Sequence, residues 1–311
     1  MGKNITKLYY PIKESILSIL PICDEFIVAL GKGDDDDKTL QEIESIGSDK
    51  IKIVYTEWDI VKYPNGTEMA HQTDIAKDHC TGDWLFYIQA DEVVHEKYLP
   101  VIKQRCEQLL DNKEIEGLLF KYIHFWGDYD HHNDAHGWYK NEIRIVRNNP
   151  EIHSWRDAQS FRRIPNFDGI NYRQEINTYK LRVASVNAYI YHYGWVRPPS
   201  YMKIKIRDFK VIQHGAKNIE SQAQKDKNYY NFDYGVIGKM SVFKGTHPKV
   251  LTEWVSRCNW KSELQYTGKR NKNRLPHKHE RFKYRFVTFL EKYIFCKPLW
   301  EFKNYILIKR V

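Results

Sequence analysis

The chain is poor in cysteine, with Cys23, Cys80, Cys106, Cys258 and Cys296 as its only five. They are odd in number, widely spaced and form no CxxC pair, which excludes a disulfide framework and a zinc ribbon and fits a reducing compartment. Long apolar runs are missing too. Nothing approaches the roughly 20 residues of a spanning helix, and the start lacks the apolar block of a secretory signal. A cytoplasmic protein is therefore expected, either soluble or peripheral at the inner face of the membrane. Low-complexity linkers and internal repeats are also absent. Acidic residues thin out along the chain: residues 201–311 carry 25 Lys+Arg against 9 Asp+Glu, or +16, so the first 200 residues hold −7 of the overall +9. A basic C-terminal third attracts nucleic acid, anionic headgroups or acidic saccharide, or is simply a solvated face.

What is present is an α/β pattern. Ile12, Ile16, Ile19 and Leu20 recur at helical spacing and the run stops at Pro21. Phe26 to Leu30 reads as a buried strand, Leu40 to Ile46 as a short helix and Ile51 to Tyr55 as a second strand, so parallel pairing is expected. A helix follows Gly66 and Thr67, and Trp84 to Ile88 is a third, strongly apolar strand. It runs into the acidic step Gln89, Ala90, Asp91, Glu92. Further strands are expected at 117–125, Glu142 to Val146 and Ala188 to Tyr193, with a helix at 100–110 and an irregular stretch between Pro150 and Ala188. Beyond Pro198 and Pro199 the chain reads as helical and basic. This gives two regions, 1–199 and 200–311.

Ligands in open α/β sheets collect beyond the carboxyl ends of strands, which is where the acidic step lies. Asp91 and Glu92 suit a hard divalent cation such as Mn²⁺ or Mg²⁺, which prefers oxygen ligands and takes only one or two from protein when phosphate supplies the rest. Taken alone, the pair would more readily cap a following helix. The consecutive histidines His131 and His132, with His136, cannot all converge on one ion and read as an exposed loop.

Read together, Tyr10-Pro11 with Glu14-Ser15 and Ser18 to Pro21, Asp24 to Val28, Asp37-Lys38-Thr39, Gly82-Asp83-Trp84 and Gln89 to Glu92 resemble family 2 glycosyltransferases of bacterial type over roughly residues 8–200. The resemblance implies a glycosyltransferase A fold: a Rossmann-like mixed sheet flanked by helices, here with a helical basic C-terminal appendage. It implies an inverting, metal-dependent transfer from a nucleotide-sugar donor to a saccharide or lipid-linked acceptor, as in polysaccharide biosynthesis. Gln89 stands where the family's Asp-x-Asp motif has its first Asp, leaving Asp91 as the expected ligand, with Glu92 in support. Donor binding falls to Asp37, Thr39, Gln89, Asp91 and Arg197, metal binding to Asp91, Glu92 and His192, and the general base to Asp157. Each has a plainer alternative: a solvated turn for Asp37, a packed core histidine for His192, and an ion pair with Arg156, Arg162 or Arg163 for Asp157. One departure is that only Met1 to Leu8 precede the first helix, too few for the family's complete first strand. A non-catalytic nucleotide- or saccharide-binding homologue is the main rival. A nucleic-acid-binding protein is a weaker one, since no RRM, zinc-finger or helix-turn-helix signature is present.

Phe282, Phe286, Phe289, Leu290, Tyr293 and Ile294 recur among Arg281, Lys283, Arg285 and Lys292. This is an amphipathic basic pattern that suits an anionic membrane surface or packing on the chain's own body.

Overall fold

The computed structural model describes residues 4–215 and 232–310. The helical reading of residues 216–231 lies outside them. Seven α-helices among the described residues are α1 (Ile12–Ile19), α2 (Thr39–Glu44), α3 (Thr67–Asp78), α4 (Leu99–Gln108), α5 (Pro199–His214), α6 (Thr252–Ser256) and α7 (Phe282–Phe289). The strands begin with β1 (Phe26–Gly31), β2 (Ile51–Thr56), β3 (Trp84–Phe86) and β4 (Glu92–Val94). They continue with β5 (Gly117–Trp126), β6 (His131–Asn133), β7 (Asn141–Arg147), β8 (Ile152–Trp155), β9 (Ser160–Arg163) and β10 (Tyr179–Trp195), then β11 (Ser241–Val242) and β12 (Tyr305–Lys309).

The architecture is mixed α/β, with a large curled mixed sheet flanked by helices. As expected, β1 and β2 pair in parallel, Phe26 opposite Ile51 through Gly31 opposite Thr56. They form a separate two-stranded sheet, while the other strands form one of ten. The 17-residue β10 is its spine: parallel to β5 and β12, antiparallel to β4 and β9 along different parts of its length. The stretch expected to be irregular thus holds two whole strands and the start of a third. Among the described residues of the C-terminal third, β11 and β12 join the sheet and several segments are single 3₁₀ turns, beside the helices α5, α6 and α7.

α1 forms because Ile12, Ile16 and Ile19 bury one stripe against the sheet, with Pro11 at its entry and Pro21 in the closing turn. Each fully buried isoleucine contributes about 1.5–3 kcal/mol. The opposite fastening is polar: Ser15 donates to the Gln89 carbonyl at 2.9 Å, and the Val94 amide donates to Ser18 Oγ at 3.1 Å. Helix α1 therefore clamps the acidic step from behind. Residues 4–8 form a turn and a 3₁₀ segment (Thr6–Leu8) rather than a strand.

Candidate active site

The acidic step is a turn between two strands, not a helix cap. Glu92 opens β4, and His192 of β10 is its register partner. The Tyr193 amide donates to the Asp91 carbonyl at 2.7 Å. Near this point β10 carries one extra residue relative to β5, since His192 faces His124 while Trp195 faces Trp126. Such a bulge bends the strand and re-aims its side chains, and here it delivers Gly194 onto the acidic step.

Asp91 and His192 are buried beside each other, with Oδ2 to Nε2 at 3.7 Å. The tautomer of His192 follows from its neighbour. His124 Nε2 lies 2.8 Å from the Tyr139 carbonyl, an acceptor only, so that nitrogen carries the proton. Burial holds His124 well below the usual histidine range, with the nearby His192 acting in the same direction, so the ring is neutral and its Nδ1 is an acceptor. His192 Nδ1, 3.0 Å away, must then be the donor. That leaves His192 Nε2 with a bare lone pair turned toward the Asp91 carboxylate, because burial also lowers the His192 pKa despite the opposing pull of Asp91. Histidines that ligate metals typically donate their other ring N–H in this way.

Gly194 shows where the two acceptors point. A Cβ on Gly194 would lie 2.5 Å from His192 Nε2 and 2.6 Å from Asp91 Oδ2. Both atoms thus lie directly against the Gly194 backbone, an approach that only a residue without a side chain permits. A histidine nitrogen and a carboxylate oxygen 3.7 Å apart are ligand types that a cation such as Mn²⁺ accepts, with its remaining positions left to phosphate and water.

No protein-family model matches the chain, and no curated protein matches it. Among solved structures it is similar to S. aureus TarS, with a TM-score of 0.36 and 14% identity over 75% of this chain and 43% of that one. It is also similar to S. aureus TarS 1–349 in complex with UDP, with a TM-score of 0.34 and 14% identity over 75% of this chain and 70% of that one. The chain spans less than half the length of the first.

A lysine absent from the sequence expectations completes the centre. Lys205 of α5 places Nζ 3.2 Å from Asp91 Oδ2 and 2.7 Å from the Gly194 carbonyl. Burial pushes its ammonium down to about 7, Arg197 adding to that and Asp91 opposing it. Burial by itself would raise the Asp91 carboxyl, but the neighbouring Lys205 and Arg197 cations, with the Lys205 hydrogen bond, outweigh it and bring the group down to about 2.

Glu92, expected as a supporting ligand, is engaged elsewhere. It is fully buried, with Arg144 Nη2 at 2.8 Å from Oε1, Arg144 Nε at 2.9 Å from Oε2 and the Tyr122 hydroxyl donating to Oε1 at 2.8 Å. Both oxygens are spent on this fork, so Glu92 fixes the turn and is not free to bind an ion. Arg197, expected at a donor phosphate, is likewise buried. It donates to the Leu8 and Gly194 carbonyls and stacks 4.3 Å over the Tyr10 ring, tying the N-terminal segment to the centre.

Asp37 and Thr39 turn toward the N-terminal segment. Asp37 accepts from the Asn4 amide at 3.0 Å and the Thr6 hydroxyl at 2.7 Å, and Thr39 Oγ1 accepts from the Ile5 amide at 3.1 Å. Lys7 bridges Asp34 and Asp36 at 2.7 and 2.6 Å, which relieves the repulsion within the four-aspartate turn. Asp34 and Asp37 also line a cleft of about 460 Å³ at the carboxyl ends of β1 and β2, together with Gly31, Lys32, Tyr55 and Glu57 among others. A larger hollow of about 580 Å³ separates β1 from β3, lined by Phe26, Trp84 and Cys106 but by no residue of the acidic step.

Asp157 sits in a loop beside the acidic step, since Gln89 Nε2 donates to the Ala158 carbonyl at 3.3 Å and to Tyr87 at 3.0 Å. The arginines expected as its alternative partners are taken: Arg156 by Glu175, Arg162 by Asn304 and Arg163 by Glu116. Among the described residues Asp157 makes no ion pair. Its two neighbours, Arg156 and Ala158, have φ of 60° and 58°. Each left-handed non-glycine residue costs about 1–3 kcal/mol, and such strain gathers at functional sites.

Proposed function

We propose that the chain is a glycosyltransferase that moves a sugar from a nucleotide-sugar donor to a saccharide or lipid-linked acceptor with inversion. The observation that supports this best is the pairing of Asp91 Oδ2 with the unprotonated His192 Nε2, 3.7 Å apart and both beside Gly194. A divalent cation held there by these two atoms would neutralise the charge that grows on the departing diphosphate. Lys205 adds a positive charge at the same carboxylate and closes the site from the α5 side. The nucleoside is assigned to the cleft at the ends of β1 and β2, where Asp37 lines the wall and is itself held by the Asn4 amide, while Thr39 holds the Ile5 amide. Asp157 takes the acceptor hydroxyl's proton as that oxygen attacks the anomeric carbon. Among the described residues its carboxylate makes no ion pair, and Gln89 holds its loop against the acidic step.

A second reading rests on Lys205. Its ammonium already sits at Asp91 Oδ2 and could serve as the positive charge for the diphosphate without a metal ion. Turnover from UDP-, GDP-, CMP- and dTDP-sugars, measured with Mn²⁺ and with chelator, tests both. The metal reading expects turnover of one donor class that chelation abolishes. Chelator-resistant turnover lost in Lys205→Met would favour the lysine. Binding without turnover of any donor would favour a non-catalytic homologue.

A further inference from the structure

Helix α7 and the π-helical turn after it (Leu290–Ile294) are amphipathic in the inverted sense. The face turned to the protein is largely polar: Thr288 Oγ1 accepts from the His136 amide at 2.9 Å, and buried Glu291 pairs with His136 and Lys140 at 3.0 and 3.2 Å. Tyr284 packs over Gly137 and Val287 is buried on this side. The face turned to solvent is aromatic. Phe282, Phe286, Phe289 and Tyr293, spaced by four, three and four residues, are 83%, 52%, 51% and 70% exposed. Their rings associate in two pairs, Phe282 with Phe286 at 6.2 Å and Phe289 with Tyr293 at 5.3 Å. Trp300 and Phe302, in the segment that follows, are also largely exposed. A soluble helix buries such a stripe, and contiguous exposed aromatic surface marks an interaction site.

Charge selects the occupant. Between Arg281 and Lys303 there are six basic residues against two acidic ones, and one of those two, Glu291, is buried. A second copy docking by the same patch would bring these cations against each other. An anionic bilayer surface complements both features: aromatic rings enter the headgroup boundary while Lys and Arg meet lipid phosphates.

We infer that α7 and the segment through Phe302 dock the protein in the plane of an anionic lipid surface. This surface is separate from the candidate active site, and its test does not depend on transfer activity. The full-length chain is sedimented with phosphatidylcholine vesicles, with and without about 30% phosphatidylglycerol, in about 0.1 M salt. Binding at least tenfold stronger to the anionic vesicles is expected. Phe282→Ser/Phe286→Ser should reduce it about tenfold or more, and Lys283→Glu/Arg285→Glu should remove the preference for anionic lipid. All four side chains lie on the solvent-facing side, and an unchanged thermal melt confirms folded variants. Equal binding to both vesicle types overturns the inference, as does retention of binding in the Phe variant. A concentration-dependent dimer without vesicle binding, dispersed by the Phe substitutions, would assign the patch to a second copy. Binding to single- or double-stranded DNA in place of vesicles would assign it to nucleic acid.

Discussion

His192 donates Nδ1–H to His124, and this one contact decides what His192 can do on its other side. Because His124 spends its own proton on the Tyr139 carbonyl, it can only accept at Nδ1, and His192 Nε2 is left as a lone pair beside Asp91. Replacing His124 by Phe removes the acceptor while keeping an aromatic ring in place. Cation affinity in the presence of a nucleoside diphosphate is expected to fall about 10- to 100-fold. Titration calorimetry with Mn²⁺ reads it, and His124→Asn, which retains an acceptor, should lose less.

Glu92 and Arg144 form a buried fork that braces the acidic turn. Removing one partner leaves an uncompensated buried charge, so Arg144→Met is expected to cost about 3–5 kcal/mol in urea denaturation. The double variant Glu92→Gln/Arg144→Met should cost less than the single one. A single-variant loss below about 1 kcal/mol would show that the fork is not structural.

Asp157→Asn should abolish turnover and leave donor affinity within about twofold of wild type if, as proposed, the carboxylate acts only on the acceptor hydroxyl. Steady-state kinetics and a binding titration on the same preparation separate the two effects. Unchanged turnover would remove Asp157 from the mechanism.

The C-terminal region carries an acid-sensitive pair. His277 and His279 stack at 5.4 Å, and His279 Nδ1 accepts from the Asn133 amide at 2.9 Å. Burial, with His277 adding, pushes His279 down to about 4, and burial lowers His277 as well. The unfolded chain therefore binds protons that the folded chain refuses. Stability from this pair is fully present above about pH 6.5 and is lost as pH falls toward 4. His279→Phe should flatten that slope in thermal melts between pH 7 and 4. An unaltered slope would place acid sensitivity elsewhere.

In the first 150 residues β4 and β6 are too short to read, and His131–Asn133, expected as an exposed loop, is the half-buried β6. Most other helical and strand periods there were legible because they are local: α1 gives way to a 3₁₀ turn at Pro21, the β1 run is continuously apolar, and the parallel pairing of β1 with β2 follows from the helix between them. The acidic step could be placed for the same reason, at the end of an apolar strand. Its partners could not. His124 and His192 meet only through the register of β5 against β10, 68 residues apart in sequence, and Lys205 reaches Asp91 from a helix with no pattern to single it out among its basic neighbours. Arg144 did leave a signal, a charge within the apolar run of β7 that required a buried counter-charge, and Glu92 is that counter-charge. β8 and β9 were missed because Ile152–Trp155 and Ser160–Arg163 are too short to show alternation.

On the proposed function, Asp91 and His192 together hold the donor's cation beside Gly194. Gly194→Ala places a methyl group within 2.6 Å of both acceptor atoms and so pushes them apart without removing either. Binding of UDP and GDP should be measured with and without Mn²⁺ in wild type and in this variant, with a thermal melt to verify the fold. Wild type is expected to bind one of them at least tenfold more tightly with Mn²⁺, and Gly194→Ala to lose that enhancement while keeping its metal-free affinity. An equal Mn²⁺ enhancement in the two proteins would show that this pair does not hold the cation.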